Sequence, residues 1–374
     1  MNERFMNGGT EYIEKKISEA ISQGKRSAVI SGSYYIDSAV RIPSHFTLVL
    51  ENCHLRLADG CYSNIFVNEN HGTEIGKKSV GADVDISVIG RGKAILDGGE
   101  YNGLSERNHM QNGLPPIWKN NLVLFTNVDG FTVSGLHLCN QRWWALNFVY
   151  CRNGKISDID FCANDTAIDK EGNVYHGLNH SHYDEILVKN ADGIDIRKGC
   201  SNITVENITG FTEDDSVAVT LLDWQLEKEF EVEGLSPDIC DITVKNVATS
   251  AFCTNVRILN QCGSGKLHDI VVDGVFDTSE NSRHMERGLY AVRIGDTSMY
   301  GARHTTCAET YNITVKNVYS AGKYAVALAG NIKSPSLIGI KCAQGTKIIL
   351  DERCKNNIDK YGEGTAEFSA DARV

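Results

Sequence analysis

The chain has 374 residues and a formal charge of −11, with 37 Lys and Arg against 48 Asp and Glu. No basic run or stripe stands out in this acidic balance, which argues against a nucleic-acid partner. Hydrophobic residues make up 41% of the chain, as in proteins that bury a large core. No apolar run approaches the length of a transmembrane helix, so no membrane partner is expected.

The N-terminus lacks a basic region followed by an apolar one, so no secretory signal is visible. A cytoplasmic protein is therefore expected, or a secreted one if a signal has been removed. The 12 cysteines form no CxxC pair. We expect them to be reduced and to act as small core hydrophobes, with disulfides or a thiolate site as the alternatives.

One segment near the N-terminus predicts a helix. Residues 10–22 place apolar side chains on one face at helical spacing, namely Tyr12, Ile13, Ile17, Ala20 and Ile21. Thr10 is the expected N-cap, and Gly24 the expected stop.

The rest of the chain predicts short strands separated by Gly, Asn and Asp. The run Ile203 to Asn207 recurs closely at Ile242 to Asn246 and Ile313 to Asn317, and loosely at Ile270 to Gly274. Phe131 to Gly135 and Lys155 to Ile159 are earlier members. The intervals between them start at about 23 residues and lengthen where loops are inserted.

A β-branched repeat in the twenties predicts a solenoid, in which each coil stacks its apolar side chains on the next. The Asn or Gly after each strand suits a tight turn, because both tolerate left-handed backbone. We expect one all-β domain over residues 1–374. It comprises a helix at 10–22 that caps the first coil, coils over about 27–350, and a tail over 351–374. The competing architecture is an antiparallel sandwich.

Three aspartates in two phrases are the main functional signal. Asp192 lies in the first phrase, Asn190 to Asp195, and Asp214 and Asp215 lie in the second, Glu213 to Val219. With one coil per twenty-odd residues, Asp192 stacks beside the other two. Clustered carboxylates suit glycosidase chemistry, in which one donates a proton and another activates water. The alternative is that they only terminate coils, as is expected of Asp169 and Asp195.

Four segments carry a resemblance to a known family: residues 90–99, Trp143 to Asn147, Asn190 to Asp192, and the Asp214–Asp215 pair. With these motifs, residues 10–330 resemble the pectate-lyase-like right-handed parallel β-helix superfamily. Within it they are similar to glycoside hydrolase family 28, the polygalacturonases and their relatives. The resemblance implies a right-handed parallel β-helix and no cofactor. It also implies Asp214 as general acid, with Asp192 and Asp215 holding and deprotonating water in an inverting hydrolysis.

The chain departs from the family pattern at several places. Glu213 stands where the family has glycine, so it either raises the acid's pKa by like-charge repulsion or points outward. The family's Gly-His-Gly motif falls where this chain has residues 233–237, without histidine. Its Arg-Ile-Lys, which implies a clamp for galacturonate, is matched here by Arg257 to Leu259, and more poorly by Arg293 to Gly295. The uronate clamp is thus incomplete, and polygalacturonan is the less secure substrate.

Further substrate contacts are expected around the aspartates. Arg257 is either a substrate ligand or part of a surface ion pair. Trp143 and Trp144 should face opposite ways in a strand, one toward the core and one as a sugar platform. The remaining candidates are Asn190, Glu213, Arg293, His176, His180 and His182.

The three histidines stand in an inserted loop. Their spacing could bind zinc, could supply the histidine missing from the motif, or could simply shape the cleft; we assign no metal. The insertions 170–182, 224–238 and 278–288 are expected to wall the cleft and narrow it toward an exo-type pocket.

Three functions therefore remain open. The leading one is hydrolysis of a pectin-derived or other plant or microbial glycan. The second is a polysaccharide lyase of the same superfamily, which needs a uronate, a base and usually a cation. The third is a non-catalytic, tail-spike-like glycan-binding solenoid. The sequence does not indicate the oligomeric state.

Overall fold

The computed structural model describes residues 4–99, 117–141, 143–179, 181–182, 190–298, 300–301, 303–330, 332–333, 335–352 and 367–368. The chain is nearly all β. Its α-helices are α1 (Gly9–Ser22), α2 (Glu74–Lys78) and α3 (Gln225–Glu229), and its 3-10 turns are Ile117–Asn120 and Ser279–Asn281. No helix of the described ranges is long and apolar enough to cross a membrane.

Two parallel sheets contain almost all strands. Sheet 1 has 11 strands, in spatial order β1 (Ser27–Ile36), β3 (Phe46–Leu57), β5 (Asp83–Asp97), β7 (Val128–Cys139), β9 (Arg152–Cys162), β13 (Ser201–Thr212), β15 (Ile239–Ala251), β17 (Leu267–Asp277), β19 (Thr310–Ser320), β21 (Ser336–Cys342) and β23 (Glu367–Phe368). Sheet 2 has 10 strands, in spatial order β2 (Val40–Ile42), β4 (Phe66–Asn68), β6 (Val123–Thr126), β8 (Trp144–Val149), β12 (Asp192–Ile196), β14 (Val217–Leu221), β16 (Thr254–Asn260), β18 (Tyr290–Ile294), β20 (Tyr324–Ala329) and β22 (Lys347–Glu352).

Successive strands alternate between the two sheets, so each pair of strands advances both sheets by one position. The exception is a small antiparallel hairpin of β10 (Thr166–Ile168) and β11 (Val174–His176). Because every described pairing within sheets 1 and 2 is parallel, the antiparallel sandwich is wrong. Strands also pass the expected end of the coils at 350, since β22 runs to Glu352 and β23 pairs with β21.

The recurring strands stack in the register that their sequence echo predicts. One ladder of fully buried side chains joins Val133, Ile156, Val205, Val244, Val272 and Val315. The corner residues that follow adopt left-handed backbone, with φ of 59° at Asn207, 52° at Asn246 and 57° at Asn317. The Asn207 side chain donates to Asp158, and Asn246 donates to Asn207, so the corners also stack.

Helix α1 packs one face against β1 and β2. Ile13, Ile17 and Ala20 are buried, as predicted, but Ile21 is 50% exposed. The N-cap is Gly8 rather than Thr10. The Thr10 hydroxyl instead donates to the Ser38 carbonyl at 2.8 Å, which ties the helix to the chain after β1.

All eleven cysteines in the described ranges are unbridged. Only four are buried, Cys53, Cys151, Cys200 and Cys262, and the others are half-buried or exposed. The expectation of core cysteines therefore holds for a minority of them.

Candidate active site

The two aspartate phrases meet on neighbouring strands of sheet 2. Ile194 pairs with Val217, which sets Asp192 opposite Asp215. The Asp215 amide donates to Asp192 Oδ1 at 3.2 Å, and the Gly193 amide donates to the Asp215 carbonyl at 2.9 Å. The predicted stacking of Asp192 beside the second phrase is therefore present, and the backbone itself fixes the spacing.

These carboxylates open onto a cavity of about 160 Å³ beside sheet 2. Seven of the residues expected at the site line it: Trp143, Trp144, Asn190, Asp192, Asp214, Asp215 and Arg257. Trp224 also lines it and comes from the insertion 224–238, which was expected to wall the cleft. Six further lining residues were not predicted as site residues: Asp195, Arg197, Thr220, Leu222, Leu259 and Tyr300. A wider depression of about 620 Å³ lies over sheet 1, but Asp85 is the only carboxylate among the described residues that line it, so it lacks a comparable cluster of acids.

Enclosure and mutual repulsion hold the carboxyl groups toward their protonated forms. Burial raises the pKa of Asp214 to about 6, assisted by the charge of Glu213. Burial likewise raises the pKa of Asp215 to about 7, assisted by Asp214. The pKa of Asp192 is raised well above its ordinary value by burial and then by three neighbouring aspartates. Such a cluster keeps at least one proton near neutral pH, as acid catalysis requires.

Glu213 is fully buried, so it does not point outward. Its Oε2 accepts the Ala191 amide at 2.8 Å and thereby holds the strand entry that carries Asp192. Its charge also raises the pKa of Asp214. The side chain that replaces the family glycine is thus a link between the two aspartate phrases.

Asp195 is not a turn residue, and that expectation is wrong. It is 1% exposed within β12 and pairs with Arg197 at 3.2 Å. Burial raises its pKa to about 8, although Arg197 opposes the shift. The strand alternation could have revealed both residues, because Ile194 and Ile196 fill the core and their neighbours must face outward. Asp169, by contrast, does lie in a turn, where it accepts the Asn173 amide.

Arg197 joins the cavity to α3. Its guanidinium lies 3.6 Å from the centroid of the Trp144 ring and pairs with Glu227 at 2.6 Å. Burial opposes the charge, but Glu227 and Asp195 raise the pKa of Arg197 above its usual value. The cation is therefore permanent and carries two carboxylate partners.

Arg257 also lines the cavity with its charge already engaged. It pairs with buried Asp296, which sequence reasoning missed, so the expectation of a surface ion pair is wrong. Arg293 binds the same carboxylate at 2.9 Å. Burial opposes ionisation of Asp296, yet the two arginines lower its pKa. Arg293 is not among the residues that line the cavity.

Trp143 and Trp144 do not face opposite ways. Trp143 precedes β8 with φ of 55°, so strand alternation does not apply to it. Both side chains are largely buried, both line the cavity, and their rings meet edge to face at 5.9 Å. The Trp143 carbonyl also accepts the Asp192 amide at 2.6 Å, which makes this turn part of the aspartate framework.

Comparison with known proteins points to one family. A sequence model described as glycosyl hydrolases family 28 matches residues 67–225, which include the aspartates. The chain is similar to family 28 over this stretch, which is less than half of its length. No curated protein matches its sequence.

Two solved structures share the fold of this family 28-like chain. The polygalacturonase from Erwinia carotovora ssp. carotovora has 13% identity and a TM-score of 0.52, over 94% of this chain and 97% of that one. A protein titled 1,3-α-1,4-β-D-galactose-4-sulfate-3,6-anhydro-D-galactose-2-sulfate 4-galactohydrolase has 12% identity and a TM-score of 0.52, over 96% of this chain and 90% of that one. At these identities the likeness concerns the fold alone.

The departures from the family 28 pattern lie at the cavity or near it. Leu259, which stands where the pattern has lysine, lines the cavity on the same strand as Arg257. Residues 233–237 follow α3, in the insertion whose Trp224 also lines the cavity. The Trp224 indole donates to the Tyr300 carbonyl at 2.8 Å and connects two loops across the cavity mouth.

His176 and His182 are not among the residues that line the cavity. His176 is exposed at the end of β11, and the His182 ring stacks on Tyr175 at 4.4 Å. His180 lies outside the described residues. The insertion 170–182 instead joins the insertion 278–288 through a Leu178–Met285 bridge. Within the described part of the chain, no group of three or more His, Cys, Asp or Glu residues could hold a metal ion.

Proposed function

We propose that the cavity is the active site of a glycoside hydrolase in which Asp214 is the general acid. The observation that carries this proposal is the convergence of Asp192, Asp214 and Asp215, all with raised pKa values, on one cavity. The Asp214 proton passes to the leaving glycosidic oxygen as the carbon–oxygen bond breaks. Asp192 and Asp215 orient a water and accept its proton as its oxygen bonds to the anomeric carbon.

Single displacement with inversion is the stereochemical course that we propose. It is supported by the family 28 match and by having two carboxylates, rather than one, to hold the water. After each turnover Asp214 is ionised and its partner is protonated, and proton exchange with solvent returns both groups to their starting states.

The substrate that we propose is a pectin-derived or related glycan whose sugar in the cavity has no carboxylate. The family match and the fold shared with a polygalacturonase support the glycan class. The charge distribution supports the neutral sugar. Arg197 and Arg257 are each neutralised by buried carboxylates, and Leu259 offers no charge. A uronate would add a further anion beside four aspartates.

Substitution Asp214→Asn tests the assignment. The amide keeps the shape of the side chain but has no acidic proton, so kcat should fall about 10²–10⁴-fold. The control is Asp59→Asn, whose side chain is 58% exposed and pairs with Arg56 at 3.4 Å. Glycoside cleavage that continues at the wild-type rate in Asp214→Asn would show that Asp214 is not the general acid.

Analysis of the reaction products separates the two rival functions, the polysaccharide lyase and the non-catalytic glycan-binding solenoid. A lyase would yield an unsaturated, ultraviolet-absorbing product, and a binding solenoid would yield none. The charges around the cavity disfavour the lyase, because carboxylates raise the pKa of both cavity arginines and make them poor bases.

For the architecture, we propose a right-handed β-helix capped by α1. The alternation of strands between two parallel sheets supports the coil, and right-handed crossovers are the strong rule for parallel strands. The cap is supported by the contacts of α1 with β1 and β2, the first strand of each sheet. Covering these strands would prevent edge-to-edge pairing.

A further inference from the structure

Residues 224–235, which we call the covering segment, leave the cavity and run toward the N-terminal coils. They begin at Trp224 in the cavity wall, pass through α3, and reach α2, where Glu229 pairs with Lys77 at 3.0 Å. Glu233 is held there too, since its amide donates to the Lys77 carbonyl at 3.0 Å. From β14 back to β4 is four strand spacings, or about 19 Å along the sheet.

The covering segment buries the outer face of sheet 2 along this path. Val67, Leu124 and Val149 alternate with core residues on β4, β6 and β8, and so face outward, yet each is at most 1% exposed. They form one apolar cluster with Leu226, Phe230 and Val232 of the covering segment, and Trp143 and Trp144 of the cavity wall belong to the same cluster. Among the described residues, the covering segment therefore closes the outer face of sheet 2 to a sugar chain on the N-terminal side of the cavity.

On the C-terminal side of the cavity, a row of side chains continues along sheet 2 from the aspartates to two tyrosines. The strand row that carries Asp192 and Asp215 continues through Thr254 to Tyr290 and Tyr324. The two tyrosine rings are half-buried and stack on each other at 5.8 Å. Because the two rings stack on each other, they present their edges and phenolic hydroxyls, which can pack beside successive sugar rings and hydrogen-bond their hydroxyl groups.

Cations flank the same strip. The Arg293 guanidinium lies 5.0 Å from the Tyr290 ring centroid, and the Lys347 ammonium lies 5.6 Å from that of Tyr324. Asp296 links the strip to the cavity, because its carboxylate binds both Arg293 and Arg257. The aromatic strip, Tyr290 and Tyr324, is thus continuous with the cavity on one side only.

From this asymmetry we infer that the enzyme acts at chain ends. The terminal sugar occupies the cavity closed by the covering segment, and the following sugars extend over Tyr290 and Tyr324 toward the C-terminal coils. This inference rests on the proposed function. It adds the direction in which the sugar chain leaves the cavity and the mode of attack, which is at chain ends. It also identifies the insertion that closes the site.

The test uses a size-fractionated ladder of neutral and acidic pectic oligosaccharides, labelled at one end, with products resolved by chromatography from the first turnovers. Wild-type protein should release one unit of fixed small size from the start, and each oligosaccharide should shorten stepwise. Fragments of every intermediate length in the first turnovers would overturn the inference while leaving glycoside hydrolysis intact.

Substitution Tyr324→Ala tests the strip. It should raise KM for the tetrasaccharide about tenfold more than for the disaccharide, because only the longer chain reaches β20. Phe276→Ala is the matched control, since this aromatic is 48% exposed on β17 of sheet 1, and it should change neither KM. An equal effect of Tyr324→Ala on both substrates would contradict the strip.

If no oligosaccharide of the ladder is cleaved, that result counts against the proposed function but not against the aromatic strip. Binding of the same oligosaccharides, measured by calorimetry, then tests the strip. Affinity that rises with chain length in wild type and no longer rises in Tyr324→Ala supports the strip. The same affinities in wild type and Tyr324→Ala would overturn it.

Discussion

At the scale of single residues, the site holds four aspartates close together although burial and mutual repulsion both oppose their ionisation. Asp192 and Asp195 are buried, while Asp214 and Asp215 are half-buried, and each has a pKa above its ordinary value. A group of this kind titrates as a unit, so its apparent pKa values belong to the cluster. The framework of backbone amides around Asp192 and Asp215 keeps the carboxylates together in spite of their repulsion.

The pH dependence of kcat/KM follows from these shifts. The acid must be protonated, so activity should fall as pH rises through the upper apparent pKa. The base must be ionised, so activity should also fall as pH drops through the lower one. The raised pKa values, about 6 at Asp214 and about 7 at Asp215, belong to a cluster that titrates as a unit, so both limbs should lie near pH 6–7 without either limb being assigned to one residue. Limbs near pH 4, the range of ordinary carboxyl groups, would show that the cluster is not enclosed in solution.

At this scale the sequence predicted the residues with a short motif and missed those without one. Asp192, Asp214 and Asp215 were found because neighbouring coils bring two local phrases together. Asp296 and Tyr300 were missed because they lie after β18, two strands along the sheet from Asp215. No local pattern reports which loops fold over a cavity.

At the scale of elements, α3 depends on one buried ion pair. Glu227 is fully buried, binds Arg197 at 2.6 Å, and accepts the Trp224 amide at 3.1 Å. A helix of five residues has little stability of its own, so tertiary contacts must hold it. The ion pair and the apolar cluster beneath α3 supply those contacts.

Substitution Glu227→Gln should therefore be costly. It leaves the shape and one acceptor in place but removes one of the two carboxylates that compensate buried Arg197. Because Asp195 remains, the loss of unfolding free energy should lie below the about 3–5 kcal/mol that an uncompensated buried charge costs. Lys155→Gln is the control, because its pair with Glu206 at 2.7 Å is solvent-exposed and should contribute little. Denaturant unfolding measures both. Equal losses in the two variants would show that Arg197 does not need Glu227.

Elements were predicted well where they repeat and poorly where they do not. The Ile203, Ile242, Ile270 and Ile313 strands pair in register because β-branched residues at a fixed spacing have only one way to bury their side chains together. Helices α2 and α3 were not predicted. Each is only five residues long, and their positions depend on contacts such as Lys77–Glu229.

At the scale of the whole molecule, two parallel sheets run the length of the protein, and β1 and β2 are their first strands. A parallel sheet edge is a template for association unless it is covered. Helix α1 packs Ile13 and Ile17 into the continuous core that runs through both sheets. We therefore expect α1 to protect β1 and β2 from edge-to-edge association between molecules.

Substitution Ile13→Asp tests the link, because it introduces a charge at a side chain that is fully buried. We expect α1 to detach and the protein to form larger species in size-exclusion chromatography. Ile21→Asp on the same helix is the control and should stay as wild type, because Ile21 is 50% exposed. If Ile13→Asp elutes as wild type does, α1 is not what protects the edge.

The central claim is hydrolysis of a glycoside by the three aspartates through a single displacement. Proton NMR of the first product formed from a cleaved glycan tests it most directly, because the spectrum reports the bond broken, the sugar and the anomeric configuration together. The account predicts a saturated product of inverted configuration from the wild-type protein and about 10²–10⁴-fold slower formation by Asp214→Asn. A product of retained configuration, or an unsaturated one, would contradict it.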